Sequence, residues 1–124
     1  MKILLVDDSA TMRSVQKKIL SDLDNPTILE AADGVEALKS LSLHNDVDLV
    51  VLDWNMPNMN GLECATQIRG GGNQVKILMC TTEAEKSQVV KALQAGVNNY
   101  AVKPFDAPTF MDKVLKTVGY AAAA

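Results

Sequence analysis

The chain carries little that would serve redox, zinc or imidazole chemistry. Its two cysteines, Cys64 and Cys80, sit in apolar contexts with neither CxxC spacing nor paired histidines. That excludes a zinc site or a dithiol couple and leaves two reduced, buried thiols. The one histidine, His44, lies in the polar stretch Leu43-His44-Asn45-Asp46, which reads as a loop rather than a ligand or a catalytic base. No apolar run approaches the ~20 residues of a membrane span. No leader is expected either, since Met1-Lys2 runs directly into a short apolar stretch followed by two acids. A soluble, cytoplasmic protein is expected. A basic stripe is absent as well, and a net charge of −3 argues against nucleic acid as a partner. There is no internal repeat, linker or low-complexity tract apart from a terminal run of alanines after Tyr120. With 124 residues, 48% apolar and 22% charged, the expectation is one globular domain over 1–119, a tail over 120–124 and no second effector domain.

What is present is organised around four apolar runs, each ending at a residue able to handle phosphate or metal. Ile3 to Val6 precedes Asp7 and Asp8, Val47 to Leu52 precedes Asp53, Val75 to Cys80 precedes Thr81, and Tyr100 to Val102 precedes Lys103. Apolar runs of this length between helix-period segments read as buried parallel strands. A further strand is expected at about Thr27 to Ala31. Ser9 caps a helix with Met12, Val15, Ile19, Leu20 and Leu23 on one face, ended by Asn25-Pro26. Asp33-Gly34-Val35-Glu36 is a capping-box-like start for a helix burying Val35, Leu38 and Leu41. After Asp53, Pro57 and Gly61 mark a loop; a short helix follows with Leu62, Ala65 and Ile68 inward, stopped by Gly70-Gly71-Gly72. Thr82 with Glu85 predicts another capping box, opening a helix through Val89, Val90 and Leu93 that Gly96 closes. Asp106 and Pro108 start the last helix, whose apolar face is Phe110, Met111, Val114, Leu115 and Val118. Regular alternation of strand and helix implies an α/β fold: a doubly wound, flavodoxin-like five-stranded parallel sheet, order 2-1-3-4-5, with five helices in three layers.

In such a sheet the switch point lies between strands one and three, at their carboxyl ends, which brings Asp7, Asp8 and Asp53 together. Two carboxylates ~4 Å apart repel by about 4 kcal/mol at an effective dielectric of ~20, so a cation is required. A hard, oxygen-lined site with open positions favours Mg²⁺. Asp8 and Asp53 are the direct ligands in this reading, Asp7 acts through water, and a backbone carbonyl near Asn55 completes the shell. Lys103 pairs with a carboxylate at rest or a phosphoryl oxygen after transfer. Asp53 is the nucleophile that would form an acyl phosphate, a step needing charge neutralisation more than a base. Thr81 donates its hydroxyl to one phosphoryl oxygen. Taken singly, Asp7-Asp8 could be a turn with a helix-dipole contact, and Thr81-Thr82 a strand end and cap. Trp54 reads equally as core packing or as a partly exposed lid.

Asp7-Asp8, the run from Asp53 through Trp54, Asn55, Met56, Pro57 and Asn58 to Met59-Asn60-Gly61, Thr81 and Lys103-Pro104-Phe105 together resemble the bacterial response-regulator receiver domain over nearly the whole chain. Thr11-Met12-Arg13, the run from Asp53 to Met59 and Ala95-Gly96…Tyr100…Lys103-Pro104-Phe105 look most like its chemotaxis members. The resemblance implies that Asp53 takes a phosphoryl group from a phosphohistidine on a sensor histidine kinase, with Mg²⁺ held by Asp8, Asp53 and the Asn55 carbonyl and supported by Asp7. The protein would not be a conventional enzyme but would catalyse its own phosphorylation and dephosphorylation. Thr81 and Tyr100 would form a switch pair, and Asn55 and Glu83 would tune hydrolysis of the acyl phosphate. A surface on helix four, strand five and helix five, with Lys86, Val89, Tyr100 and Lys113 on it, would be read by a downstream protein such as the flagellar motor switch and by a phosphatase, the chain itself being monomeric. Lys103-Pro104 would be a cis peptide. Asn60 stands where the family usually has an acid, and the Gly70 to Asn73 link is short.

Other readings share parts of this pattern. The same chemistry serves other two-component or phosphorelay pathways, and the chain could be a fragment of a multidomain regulator. An aspartate-nucleophile phosphatase normally carries a second acid two residues after the first, where this chain has Asn55. A flavin-binding protein of this fold needs a Ser/Thr/Gly-rich loop after strand one, whereas Asp7-Asp8-Ser9 would repel phosphate in the absence of metal. The intact set of residues disfavours a degenerate adaptor.

Overall fold

Both faces of the three central strands are covered, and this is why they read as unbroken apolar runs. The computed structural model describes residues 1–82 and 85–119. In chain order they form β1 (Lys2–Val6), α1 (Ala10–Leu20), β2 (Thr27–Ala31), α2 (Gly34–Leu43), β3 (Leu49–Asp53), α3 (Gly61–Gly70), β4 (Lys76–Thr81), α4 (Lys86–Gln94), β5 (Asn99–Val102) and α5 (Ala107–Val118). The strands are all parallel in the order β2-β1-β3-β4-β5, the doubly wound arrangement expected from the alternation. Glu83 and the 120–124 tail lie outside the described residues.

The period-two alternation of each strand divides its side chains between two cores. Leu4, Val6, Val50, Leu52, Ile77 and Met79 pack with Ala37, Leu41, Cys64, Ala65 and Ile68. Ile3, Leu5, Leu49, Val51, Leu78 and Cys80 pack with Leu20, Phe110 and Val114 on the opposite side. At the sheet's edge, β2 is only partly covered, with Thr27 and Glu30 exposed. Among the described residues no helix is long and apolar enough to cross a membrane.

Several helix faces differ from the pattern-based expectation. In α1, Val15 is exposed and Gln16 is buried. Gln16 and Leu20, four apart, define the inward stripe, while Val15 and Ile19 ride its flank. The helix stops at Leu20, before Asn25-Pro26 is reached. In α2 the stripe is Gly34, Ala37 and Leu41, and Val35 is exposed, because Gly34 lies against Met59 so closely that a Cβ there would be 2.9 Å from its sulfur. Asp33 caps the Glu36 N–H, but Glu36 returns to the N–H of Ala32 rather than to that of the cap. The Thr82–Glu85 capping box does not form: Glu85 is itself the N-cap of α4, its side chain makes no capping bond, and Val90 and Leu93 point outward while Ala92 is buried. By contrast α3 starts with a full capping box, Asn60 accepting from the Glu63 N–H and Glu63 from the Asn60 N–H. An amide at position 60 caps as well as an acid would. In α5, Asp106 caps the Thr109 N–H and Gly119, at φ 92°, closes the helix.

Candidate functional site

The carboxyl ends of the strands deliver the four groups singled out from sequence. Asp7 follows β1, Asp53 ends β3, Thr81 ends β4 and Lys103 follows β5. Because Val6 is paired with Leu52, and Asp53 with Cys80, the acids emerge side by side at the switch point. One carboxylate oxygen from each of Asp7, Asp8 and Asp53 lies within 4.8 Å of the others. Asp7 and Asp53 are buried, at 2% and 7% exposure, while Asp8 opens to solvent.

Lys103 reaches back into this cluster. Its ammonium donates to Asp53 Oδ1 at 2.9 Å and to Asp7 Oδ2 at 3.1 Å. The Lys103-Pro104 bond is cis, and the Lys103 N–H donates to the Thr81 carbonyl at 2.7 Å. Burial holds the Asp53 carboxyl above its ordinary pKa; Lys103 opposes that shift, and the charges of Asp7 and Asp8 reinforce it. Burial by itself would lower Lys103, but the bond to Asp53 and the charges of Asp53 and Asp7 outweigh it and the pKa rises. Both shifts describe a site that favours additional positive charge. Three carboxylates face one ammonium, so a hard divalent cation fits the donor set.

Asp7 is held at every polar atom. Its N–H donates to the Ala31 carbonyl, Oδ1 accepts from the Ser9 N–H, Oδ2 from Lys103, and its carbonyl from the Arg13 guanidinium. Neither Arg13 nor its role could be picked out by strand-end reasoning, since its partners, Asp7 and Glu30, lie in other elements.

The loop after Asp53 folds tightly over it. The Gly61 N–H donates to the Trp54 carbonyl at 2.8 Å, and a Cβ at Gly61 would stand 2.3 Å from the Asp53 carbonyl oxygen. Only glycine tolerates that approach. Trp54 is half-buried against the core on the α2 and α3 side and also lines a recess of about 120 Å³ with Asn55, Thr81 and Gln88. Gln88 on α4 was not singled out from sequence.

Thr81 is buried and Tyr100 is half-buried. Tyr100 is paired with Met79, two residues before Thr81, so their side chains share one face of the sheet. The Lys113 ammonium sits 5.3 Å from the Tyr100 ring centroid. Lys86 is exposed and Val89 half-buried on α4. The turn that follows α4 is held by Arg69 of α3, whose guanidinium donates to the Gly96 carbonyl and to Asn98 Oδ1, and also to the Asn73 carbonyl in the α3–β4 link. Sequence offered no sign of this clamp. Neither cysteine belongs to the site's chemistry. Burial pushes the Cys80 thiol up to about 12 and Cys64 up to about 11.

Comparison with known proteins agrees with this geometry. A family model described as response regulator receiver domain matches residues 3–115. The chain is 45% identical over 121 residues to chemotaxis protein CheY1 of Helicobacter pylori, covering 96% of this chain and 98% of that protein. It is 46% identical over 121 residues to the chemotaxis protein CheY homolog of Campylobacter jejuni, covering 96% and 93%. The solved structure of chemotaxis protein CheY4 of Vibrio cholerae superposes with a TM-score of 0.86 at 31% identity, over 94% of this chain and 97% of that one. The chain belongs to the response regulator receiver domain family.

Proposed function

We propose that this protein is a single-domain chemotaxis response regulator, working in the cytoplasm as a monomer, that takes a phosphoryl group on Asp53 from a sensor histidine kinase. The observation that carries the reading is the Lys103 ammonium bridging buried Asp7 and Asp53 while Asp8 faces solvent beside them. A carboxylate oxygen of Asp53 attacks phosphorus, the bond from phosphorus to the imidazole nitrogen breaks, and the electron pair leaves with the imidazole, which takes up a proton. The product is an acyl phosphate; attack by water releases orthophosphate and restores the carboxylate. Asp8, Asp53 and the Asn55 carbonyl would hold Mg²⁺, with Asp7 joined through water. When bound it neutralises charge on the transferring group.

The chain's own residues do the rest. Lys103 shields Asp53 from Asp7 at rest and transfers one hydrogen bond to the phosphoryl group. Thr81 donates its hydroxyl to a second phosphoryl oxygen, and Tyr100, on the same sheet face, follows that movement inward. The exposed strip of α4, β5 and α5, with Lys86, Val89, Tyr100 and Lys113, then meets a downstream target such as the flagellar motor switch and a phosphatase. Asn55 and Glu83 set the lifetime of the acyl phosphate.

Acetyl phosphate with Mg²⁺ should add one phosphoryl group by intact mass, and Asp53→Asn should add none. Introduced into a host lacking its own chemotaxis regulator, the wild-type chain should restore swarming and Asp53→Asn should not. An adduct retained in the variant would overturn the assignment of the acceptor. Phosphorylation without rescue would move the protein to another pathway.

A further inference from the structure

We propose that Arg13 is a positioning residue for the metal site, acting through the backbone between Asp7 and Asp8. Its planar guanidinium spans two acceptors at once. One Nη donates to the Asp7 carbonyl, and Nε donates to Glu30 Oε1 on β2 at 3.0 Å. Glu30 is steadied in turn by Lys17, 3.7 Å away.

The consequence falls on Asp8. On one side of it, Asp7 is fixed through its N–H, its carbonyl and both carboxylate oxygens. On the other, Ser9 caps the Met12 N–H and its carbonyl accepts from the Arg13 N–H at 3.0 Å. The Asp8 side chain therefore projects from a peptide anchored at both ends. The guanidinium supplies the bond that stops the Asp7-Asp8 peptide from rotating. A lysine cannot replace it, because one compact ammonium lacks the fork that meets both acceptors.

This role rests on the proposed Mg²⁺ chemistry and makes a prediction of opposite sign to simple charge counting. Removing a cation near three carboxylates should by Coulomb's law tighten Mg²⁺ binding. Removing a positioning group should weaken it, by about tenfold for a residue that orients a ligand from behind. The test is the Mg²⁺ dissociation constant by calorimetry on the full chain, at a temperature where circular dichroism shows each variant folded. Arg13→Ala and Arg13→Lys should both bind about tenfold more weakly. The double variant Arg13→Ala/Glu30→Ala should bind no more weakly than Arg13→Ala alone, since the two act as one unit. Unchanged or tighter binding by Arg13→Ala, or wild-type affinity in Arg13→Lys, would overturn the role. A wild-type chain that binds no Mg²⁺ would overturn the proposed function and this role with it; normal wild-type binding with unaltered variants would overturn this role alone.

Discussion

Replacing Asp53 by asparagine should make the metal-free protein more stable. Asp53 has two carboxylate neighbours within 4.8 Å, and each such contact costs about 3.5 kcal/mol at an effective dielectric of ~20. The Lys103 ammonium at 2.9 Å returns about 6 kcal/mol on the same scale. Asp8 is exposed, so its share is screened, and the pairwise terms nearly cancel. What remains uncompensated is the cost of taking the Asp53 anion out of water, and that is why its carboxyl stays above the ordinary pKa despite the lysine. An asparagine keeps the shape, still accepts from Lys103 and carries no charge. The expected gain is about 1–3 kcal/mol, or roughly 4–10 °C in melting temperature. The sign can be followed with pH. A raised folded-state pKa means that the penalty is absent below the unfolded value near 3.8 and accrues as pH rises through the folded value. The advantage of Asp53→Asn should therefore vanish in acid and be full at neutral pH. Mg²⁺ should narrow it by stabilising the wild type more. Thermal denaturation by circular dichroism in EDTA and in saturating Mg²⁺ measures all three. A variant melting at or below the wild type in EDTA at neutral pH would refute the reasoning.

Other expectations follow from single contacts. Gly61→Ala places a Cβ 2.3 Å from the Asp53 carbonyl oxygen, so urea unfolding should show a loss of about 1–3 kcal/mol together with weaker Mg²⁺ binding. Gln16 is buried with its Oε1 lacking a partner among the described residues, and Gln16→Leu should raise the unfolding free energy measured in urea by about 1 kcal/mol or more. Cys64 and Cys80 are buried, with thiol pKa values pushed up to about 11 and about 12. A disulfide reagent at pH 8 should react with both only as fast as the chain unfolds, and fast labelling of the native protein would contradict their burial.

The sheet was legible because its order and its apolar runs have one cause: strands covered on both sides cannot alternate with water. The site was legible for the same reason, since polar residues at strand ends stand out against those runs. Helix faces were harder. Val15, Val35, Val90 and Leu93 are apolar, yet they lie outside the buried stripes, where Gln16, Gly34, Ala37 and Ala92 sit instead. Small or amide side chains take the inward positions, at Gly34 because Met59 packs directly against it, and hydropathy alone misses this. Thr82 and Glu85 matched a capping pattern, but the helix begins at Lys86, so the pair straddles the boundary. Arg13 and Arg69 act on backbone carbonyls brought near by the fold, and nothing in a linear pattern marks such partners.

The Arg69 clamp gives α4 an asymmetry. The turn just past its far end is tied to α3 through the Gly96 carbonyl and the side chain of Asn98. Its near end, beside Thr81, has no side-chain cap on Glu85. A helix tied down after its last turn has its larger freedom at its first, so a displacement passed to α4 from the Thr81 side would be widest at Lys86 and fade towards Gln94.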